Sequence, residues 1–239
     1  MQKQRIISFL LVLVMLLSLT SCKKKSLTQT SSVSAKRHME IVYKRGQTCY
    51  AIDPESDEPS LYVFSLAGQP VFDQDDSPVS STTLVPGMLV EVSYDGYILD
   101  SYPSQFSGIN KIAVRERRAN NVDFLVAQIS GMFPSTKPDE NNLWEIAFGG
   151  TTYLTHVEQK ALEYILRENW TGATVTVEPQ EEKAFGSGSI QVNFMDIQDD
   201  TMELEIIVDD GSGENLPETK RIIASCATGS WVITEYERI

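Results

Sequence analysis

The chain has 239 residues and a formal net charge of −13 at pH 7, with 33 acidic and 20 basic side chains. The charge is uneven: residues 139–239 carry 6 basic and 20 acidic side chains, whereas residues 22–138 carry 12 and 13. This balance argues against binding to nucleic acid, whose phosphates require Lys and Arg, and against the acidic half lying on an anionic membrane. It is typical of a soluble protein or of one with a cationic partner.

The first 21 residues have the pattern of an export signal. Lys3 and Arg5 form a short positive segment, and residues 6–19 are apolar apart from Ser8 and Ser18. That apolar run matches the hydrophobic core of a signal peptide and is shorter than the roughly 18–20 residues that span a bilayer as a helix. We therefore predict a signal peptide over residues 1–21.

This segment ends in Leu19-Thr20-Ser21-Cys22. The four residues resemble the lipobox of bacterial lipoproteins, in which Leu19, Thr20 and Ser21 serve signal recognition and cleavage precedes the cysteine. The resemblance implies that the Cys22 thiol receives a diacylglycerol and that the new amine is acylated, for example with palmitate. Two or three acyl chains anchor a protein stably, because each buried methylene contributes about 0.8 kcal/mol. The alternative is an ordinary secretory signal with a chance cysteine; lipidation implies the extracytoplasmic face of the cell membrane.

Residues 22–38 are polar and predict a flexible tether. From residue 39 to 117, short β-branched and aromatic runs separated by turn formers predict strands at 41–43, 49–52, 61–64, 87–94, 97–99 and 109–114. Asp95-Gly96 predicts a type I′ turn that joins residues 87–94 and 97–99 in a hairpin. Five or more strands in about 75 residues indicate a small closed or partly open barrel.

Three segments of this region, 87–92, 94–98 and 101–103, resemble the OB-like domains of uncharacterised lipoproteins from Gram-positive bacteria. The resemblance covers about a third of the chain and implies a fold, without an activity that could be transferred. OB-folds as a class bind oligonucleotides, sugars or proteins, and the charge balance argues against the first.

Arg115, Arg117 and Arg118 follow the last of these predicted strands and form the basic cluster of the folded part. One interpretation is a partner-binding site, or a surface that docks onto the acidic second half. The other, which is favoured, is a solvated strand end. Residues 118–138 then predict a connecting helix over 122–129, with Asn121 as its cap, followed by a linker.

Residues 139–239 predict an acidic domain with one helix on an antiparallel sheet. Thr155 and Glu158 form a capping box, and apolar residues recur at helical spacing over 157–166. Strands are predicted at 143–148, 175–177, 190–194, 204–208, 221–224 and 231–236. The predicted fold class is therefore α+β, mainly antiparallel β, with a small OB-like barrel followed by a helix-on-antiparallel-sheet domain.

No catalytic motif is recognisable: G-x-S-x-G, H-E-x-x-H and C-x-x-C are absent, and the histidines are His38 and His156. Acidic clusters at 196–203 and 209–215 have a calcium-site composition, but their spacing does not match an EF-hand. Solvated turns are therefore favoured, and neither a metal site nor a cofactor is predicted.

Cys49 and Cys226 are the other two cysteines. An exported chain can oxidise such a pair, but free buried thiols are favoured, because sequence cannot supply the geometry of a bridge.

The leading functional hypothesis is a non-enzymatic, membrane-anchored module that binds an envelope protein, peptide or glycan. The alternative is a hydrolase of envelope polymers that uses carboxylates, for which we expect a cleft lined by acidic residues with raised pKa values.

Overall fold

The computed structural model describes most of the chain from Ser34 onward. The described residues are 34–56, 60–132, 143–149, 153–170, 174–177, 188–198, 200–211, 213, 216–226 and 229–239. The predicted signal peptide, the lipobox with Cys22 and residues 22–33 of the predicted tether lie outside them. Lipidation of Cys22 therefore stays a prediction.

The first sheet contains nine strands within the described residues. They are β1 (Ala35–Arg45), β2 (Thr48–Ile52), β3 (Leu61–Ser65), β4 (Val71–Phe72), β5 (Pro78–Val79), β6 (Met88–Tyr94), β7 (Ile98–Leu99), β8 (Ser104–Phe106) and β9 (Lys111–Arg117). Their spatial order is β5-β4-β9-β6-β1-β2-β3-β8-β7. The predicted strand segments are confirmed, because β-branched and aromatic residues fit a pleated, half-buried surface.

The central strand β1 begins earlier than predicted. Residues 35–38, which the sequence assigns to the tether, pair with β6, and Ala35 lies opposite Tyr94. The Lys36 ammonium also contacts the Glu91 carboxylate of β6 at 2.8 Å. Backbone pairing with β6 thus overrides the polar composition that predicted a tether.

The predicted barrel does not close. The ring of an OB-like barrel would require the free edges of β3 and β9 to meet. In the sheet, β8 pairs with β3 and β4 pairs with β9, both in parallel. Those two edges are therefore occupied, and the sheet stays open, with β5 and β7 at its ends.

The prediction of a hairpin at Asp95-Gly96 is wrong, because β6 and β7 do not pair with each other. β6 pairs with β1 on one edge and with β9 on the other, so neither edge remains for the following segment. β7 pairs instead with β8. Gly96 has a positive φ of 94°, but Asp95 does not, whereas a type I′ turn requires a positive φ at both central residues.

Two α-helices occur among the described residues, α1 (Asn121–Met132) and α2 (His156–Asn169). The predicted capping box of α2 is confirmed: Glu158 N donates to Thr155 Oγ1 at 3.3 Å, and Thr155 N donates to Glu158 Oε2 at 2.7 Å. The cap of α1 lies one residue earlier than predicted, because Asn120 Oδ1 accepts from Asp123 N at 2.8 Å. Neither helix is long and apolar enough to cross a bilayer, within the ranges that the structure describes.

The second sheet is mixed. Its strands are β10 (Leu143–Gly149), β11 (Thr174–Val177), β12 (Gly188–Gln198), β13 (Thr201–Asp209), β14 (Glu218–Ser225) and β15 (Val232–Arg238), in the order β11-β10-β12-β13-β14-β15. β12 to β15 pair in antiparallel order, as predicted for this domain. β10, in contrast, pairs in parallel with both β11 and β12. Parallel neighbours need a crossover connection, and α2 lies between β10 and β11 in the chain. The α+β, mainly antiparallel fold class is confirmed.

Strands β1 to β3 bury side chains on both faces, with alternate residues in two different cores. Ile41 and Cys49 lie in a cluster formed within the first sheet. Val42 and Tyr50 lie in a larger cluster with both helices and the second sheet. Residues Ser34–Ile239 form one compact unit, and separate domains at 39–117 and 139–239 stay a prediction.

Both cysteines that the structure describes are free thiols. Cys49 is completely buried, and burial raises the pKa of its thiol to about 12. Cys226 is half-buried. The thiol of Cys49 is therefore a small core group with little nucleophilic character.

Candidate binding cleft

The three arginines predicted as a partner site lie at the end of β9 but do not form one patch. The β6–β9 register shifts, so that Val90 pairs with Val114 and Leu89 with Glu116, which leaves Arg115 in a bulge. A β-bulge interrupts the alternation of side chains along a strand. Arg115 and Arg118 consequently line one cleft, and Arg117 lines another.

Arg115 and Arg118 already have acidic partners. Arg115 Nη2 lies 3.1 Å from Glu91 Oε1, and Glu91 also accepts from Lys36. The hydrogen bond from Lys36, aided by Arg115, lowers the pKa of Glu91, although desolvation opposes it. Arg118 donates two hydrogen bonds to Glu116, at 3.0 and 3.2 Å. The two guanidinium groups are thus neutralised by exposed pairs of the kind that contribute about 0–1 kcal/mol.

The smaller cleft of about 320 Å³ lies beside these pairs, and its lining includes His38, Glu55, Arg115, Glu116 and Arg118. His38 is exposed, and its Nε2 lies 3.7 Å from Glu91 Oε2. Charged groups of both signs therefore surround this cleft, and its arginines are engaged within the chain.

Arg117 lies at a larger cleft of about 550 Å³, which we call the Arg117 cleft. The cleft lies between the segment before β6, helix α1 and the segment before β15. It is lined by Val85, Pro86, Arg117, Asn120, Asp123, Phe124, Ala127, Gln128, Gly229, Ser230, Trp231 and Ile233. A volume of this size is typical of small-molecule sites.

Two glycines with positive φ bring the backbone segments together behind Arg117. A Cβ on Gly87 (φ +85°) would lie 2.2 Å from the Arg118 carbonyl oxygen, and one on Gly229 (φ +72°) would lie 3.1 Å from Arg117 Cγ. Arg117 Nη2 donates to Ser230 Oγ at 2.5 Å. Arg117 is exposed and forms no ion pair with any residue that the structure describes. Its charge therefore lines the cleft without an ion-pair partner among the described residues.

The inner end of the cleft contains a polar network around Asn120, which is only 6 % exposed. Asn120 Nδ2 donates to Glu40 Oε1 at 3.1 Å, while its Oδ1 caps α1. Burial raises the pKa of Asp123 and also that of Glu40, where the hydrogen bond from Asn120 opposes the shift. Asp123 therefore retains its proton to a higher pH than an exposed aspartate, and the protonated form can donate a hydrogen bond.

One wall of the cleft is aromatic. The Phe124 and Trp231 rings lie 6.2 Å apart with an interplanar angle of 44°. Trp231 Nε1 donates to Asn121 Oδ1 at 3.0 Å, which ties the segment before β15 to the start of α1. The cleft can therefore accept a ligand with an anionic group near Arg117 and an apolar part against Phe124 and Trp231.

The other predicted site residues lie elsewhere. Leu19, Thr20, Ser21 and Cys22 fall outside the described residues, as do Asp199, Glu214 and Asn215 of the acidic clusters. Glu203 accepts from Arg221, and Asp209 Oδ1 accepts from Gly211 N at 2.9 Å. In the described part of the chain, no group of three or more His, Cys, Asp or Glu side chains is arranged to hold a metal ion.

Of the residues that line this cleft, the sequence pattern indicates Arg117 as a candidate binding residue and does not indicate the others. Phe124 and Trp231 are predicted only as a helix residue and a strand residue, more than 100 positions apart in the chain. The one sequence signal near them is Gly229-Ser230 before Trp231, a turn that presents a tryptophan at the start of a strand. No protein-family model, curated protein or solved structure matches this chain.

Proposed function

We propose that this chain is a lipoprotein, anchored through Cys22 at the extracytoplasmic face of the cell membrane, which binds an envelope ligand in the Arg117 cleft. The binding role is supported by Arg117, an exposed residue that lines a cleft of about 550 Å³ and has no acidic partner among the described residues. The anchor rests on the apolar segment 6–19 followed by Leu19-Thr20-Ser21-Cys22.

The chemistry of the cleft favours a ligand that carries a carboxylate or phosphate beside an apolar group. A guanidinium offers a planar set of donors that fits either anion, and the Phe124–Trp231 wall contributes apolar contact. An envelope protein, a peptide or a glycan could supply this combination. The acidic charge of residues 139–239 disfavours nucleic acid as the ligand.

Binding is favoured over hydrolysis by the number of acidic groups in the cleft. Asp123 is the single carboxyl among the lining residues that the structure describes. Glycoside hydrolysis generally needs two carboxyl groups, roughly 5–9.5 Å apart across the scissile bond. Asp123 with its raised pKa resembles half of such a pair, so the carboxylate hydrolase stays the alternative.

The test compares capture of envelope components by variants of the lipidated protein. Wild type, Arg117→Ala and the matched control Arg118→Ala are purified in detergent and incubated with solubilised envelope, and bound material is identified by mass spectrometry. Loss of a charge-assisted contact, worth about 1.5–3 kcal/mol, predicts capture by Arg117→Ala weakened about tenfold or more. Arg118→Ala should retain capture, because Arg118 is paired with Glu116.

Equal capture by Arg117→Ala and wild type would contradict binding at this cleft. The mass of the N-terminal peptide tests the anchor separately, since a diacylglycerol on Cys22 changes that mass whether or not the cleft binds. Release of fragments from the envelope material by wild type, abolished in Asp123→Asn, would favour the hydrolase.

A further inference from the structure

A loop at the edge of the first sheet exposes three large apolar side chains. We call residues 95–103, which include β7, the aromatic loop. Tyr97 is 73 % exposed, Leu99 51 % and Tyr102 57 %. Large apolar groups concentrated on one exposed loop indicate a contact surface more strongly than apolar residues scattered singly.

The aromatic loop lies where the chain from Cys22 enters the folded unit. Ala35 pairs with Tyr94, and the loop begins at the next residue, Asp95. Tyr97 is three residues beyond Tyr94, so their Cα atoms are at most about 10 Å apart. The segment from Cys22 to Val33 has 12 residues and reaches at most about 40 Å. A lipid on Cys22 therefore keeps the bilayer within reach of the loop.

The Arg117 cleft lies at the other end of the same strand. Met88, at the start of β6, pairs with Arg117, whereas Tyr94, at its end, pairs with Ala35. Six residue steps along β6 separate these points by about 20 Å. A molecule that rested on the bilayer with its aromatic loop would hold the cleft away from the membrane surface.

We propose that the aromatic loop contacts the bilayer, with Tyr97 and Leu99 inserted at the headgroup level. Tyrosine suits this position, because its ring is apolar and its hydroxyl stays hydrated. Two carboxyl groups, Asp95 and Asp100, belong to the same loop and keep the insertion shallow. Asp95 is also engaged within the loop, since its Oδ1 accepts from Tyr97 N at 3.1 Å and its Oδ2 from Ser107 Oγ at 3.0 Å.

The conformation of the loop in the folded unit suits this contact. Tyr97 O accepts from Ser107 N at 3.1 Å, and Ile98 and Leu99 pair with Phe106 and Gln105 of β8. Tyr102 packs edge-on against Tyr164 of α2, with ring centroids 5.7 Å apart. The backbone bonds of the loop are thus partly satisfied within the protein, which lowers the cost of placing it in the interface.

The inference rests on the proposed lipid anchor and is tested by the depth of a fluorophore in the lipidated full chain. An environment-sensitive label is attached to Leu99→Cys in a protein that also carries Cys226→Ser. The other two cysteines do not take the label: Cys22 is blocked by lipid, and the raised pKa of Cys49 keeps its thiol unreactive. Glu116→Cys, next to Arg117 in β9 and opposite Leu89, is the labelled control. Both proteins are reconstituted in phosphatidylcholine vesicles with and without brominated lipid.

We expect bromine to quench the label at position 99 at least about twofold more than the label at 116, because interfacial side chains lie at the headgroup–acyl boundary. Adding Tyr97→Asp should reduce quenching at 99 to the level at 116. A lipidated protein in which both positions are quenched equally would overturn the inference and leave the anchor intact. An N-terminal peptide without diacylglycerol would contradict both.

Discussion

Asn120 is a buried polar side chain that connects three parts of the molecule. It caps α1, donates to Glu40 of β1 and lines the Arg117 cleft. A buried amide of this kind is stable only when its partners are present, because an unsatisfied buried polar group costs about 1–3 kcal/mol. The inner end of the cleft is therefore fixed by hydrogen bonds that also hold β1 and α1 together.

The Glu40 carboxyl has a pH-dependent effect on stability. Burial raises the pKa of Glu40 above its ordinary value of 4.5, so the folded chain binds this proton more tightly than the unfolded chain. The free energy of unfolding therefore falls as pH rises from 4.5 through the raised pKa. Glu40→Gln keeps an acceptor for Asn120 but cannot ionise. We expect Glu40→Gln to be more stable than wild type at pH 7 in urea titrations, with the difference vanishing below pH 4.5.

The control for this prediction is Glu116→Gln. The hydrogen bond from Arg118 lowers the pKa of Glu116, so ionisation of Glu116 favours the folded state. The effect of ionisation on the free energy of unfolding is therefore opposite to that of Glu40. Glu116→Gln should therefore bring no gain in stability at pH 7. A difference between Glu40→Gln and wild type that is the same at pH 7 and pH 4 would contradict the assignment to Glu40.

At the scale of elements, Gly87 holds the start of β6 between β1 and the end of β9. Gly87 N donates to Ile41 O and Arg118 N donates to Gly87 O, both at 2.7 Å. Arg117 is presented to its cleft by this close approach, together with the bulge at Arg115. The position requires the absence of a side chain as well as a positive φ.

Gly87→Ala tests this contact against Gly46→Ala. Both glycines have positive φ, but a Cβ on Gly46 meets nothing within 4 Å, whereas one on Gly87 meets the Arg118 carbonyl. Left-handed backbone strain alone should lower the free energy of unfolding of Gly46→Ala by about 1–2 kcal/mol. Gly87→Ala should lose more than about 3 kcal/mol, because a backbone clash is added. Equal losses in denaturant titrations would show that the segment relaxes freely.

At the scale of the whole molecule, the larger core joins both halves of the sequence. Val42 and Leu61 of the first sheet, α1, α2 and the second sheet contribute to one buried cluster. A core shared in this way couples the unfolding of its parts, whereas separate domains would unfold in separate transitions.

We therefore expect one cooperative unfolding transition. The three tryptophans, Trp144, Trp170 and Trp231, all belong to residues 139–239, and their fluorescence should follow the same curve as the far-UV circular dichroism. Val42→Ala, in the first half, should lower the free energy of unfolding obtained from both curves by about 2 kcal/mol. Leu216→Ala, at a position 93 % exposed, should shift neither. A tryptophan curve unaffected by Val42→Ala would favour independent domains.

The sequence by itself determined features that depend on neighbouring residues. The capping box of Thr155 and Glu158 is local, because both hydrogen bonds close within one turn. Strand segments such as Thr48–Ile52 could be predicted because β-branched and aromatic side chains favour strands. The uninterrupted apolar run from Cys49 to Ile52 is explained by burial of this strand on both faces of the sheet. The α+β class could likewise be predicted from the sequence.

Only the tertiary structure decided which edges pair and where side chains meet. Asp95-Gly96 suggests a hairpin, but β1 and β9 occupy both edges of β6 and exclude it. The Arg117 cleft needs Phe124 and Trp231 side by side, and no local pattern encodes a contact across more than 100 residues. Competition for strand edges and packing between distant segments are properties of the whole chain, so local sequence patterns could not predict them.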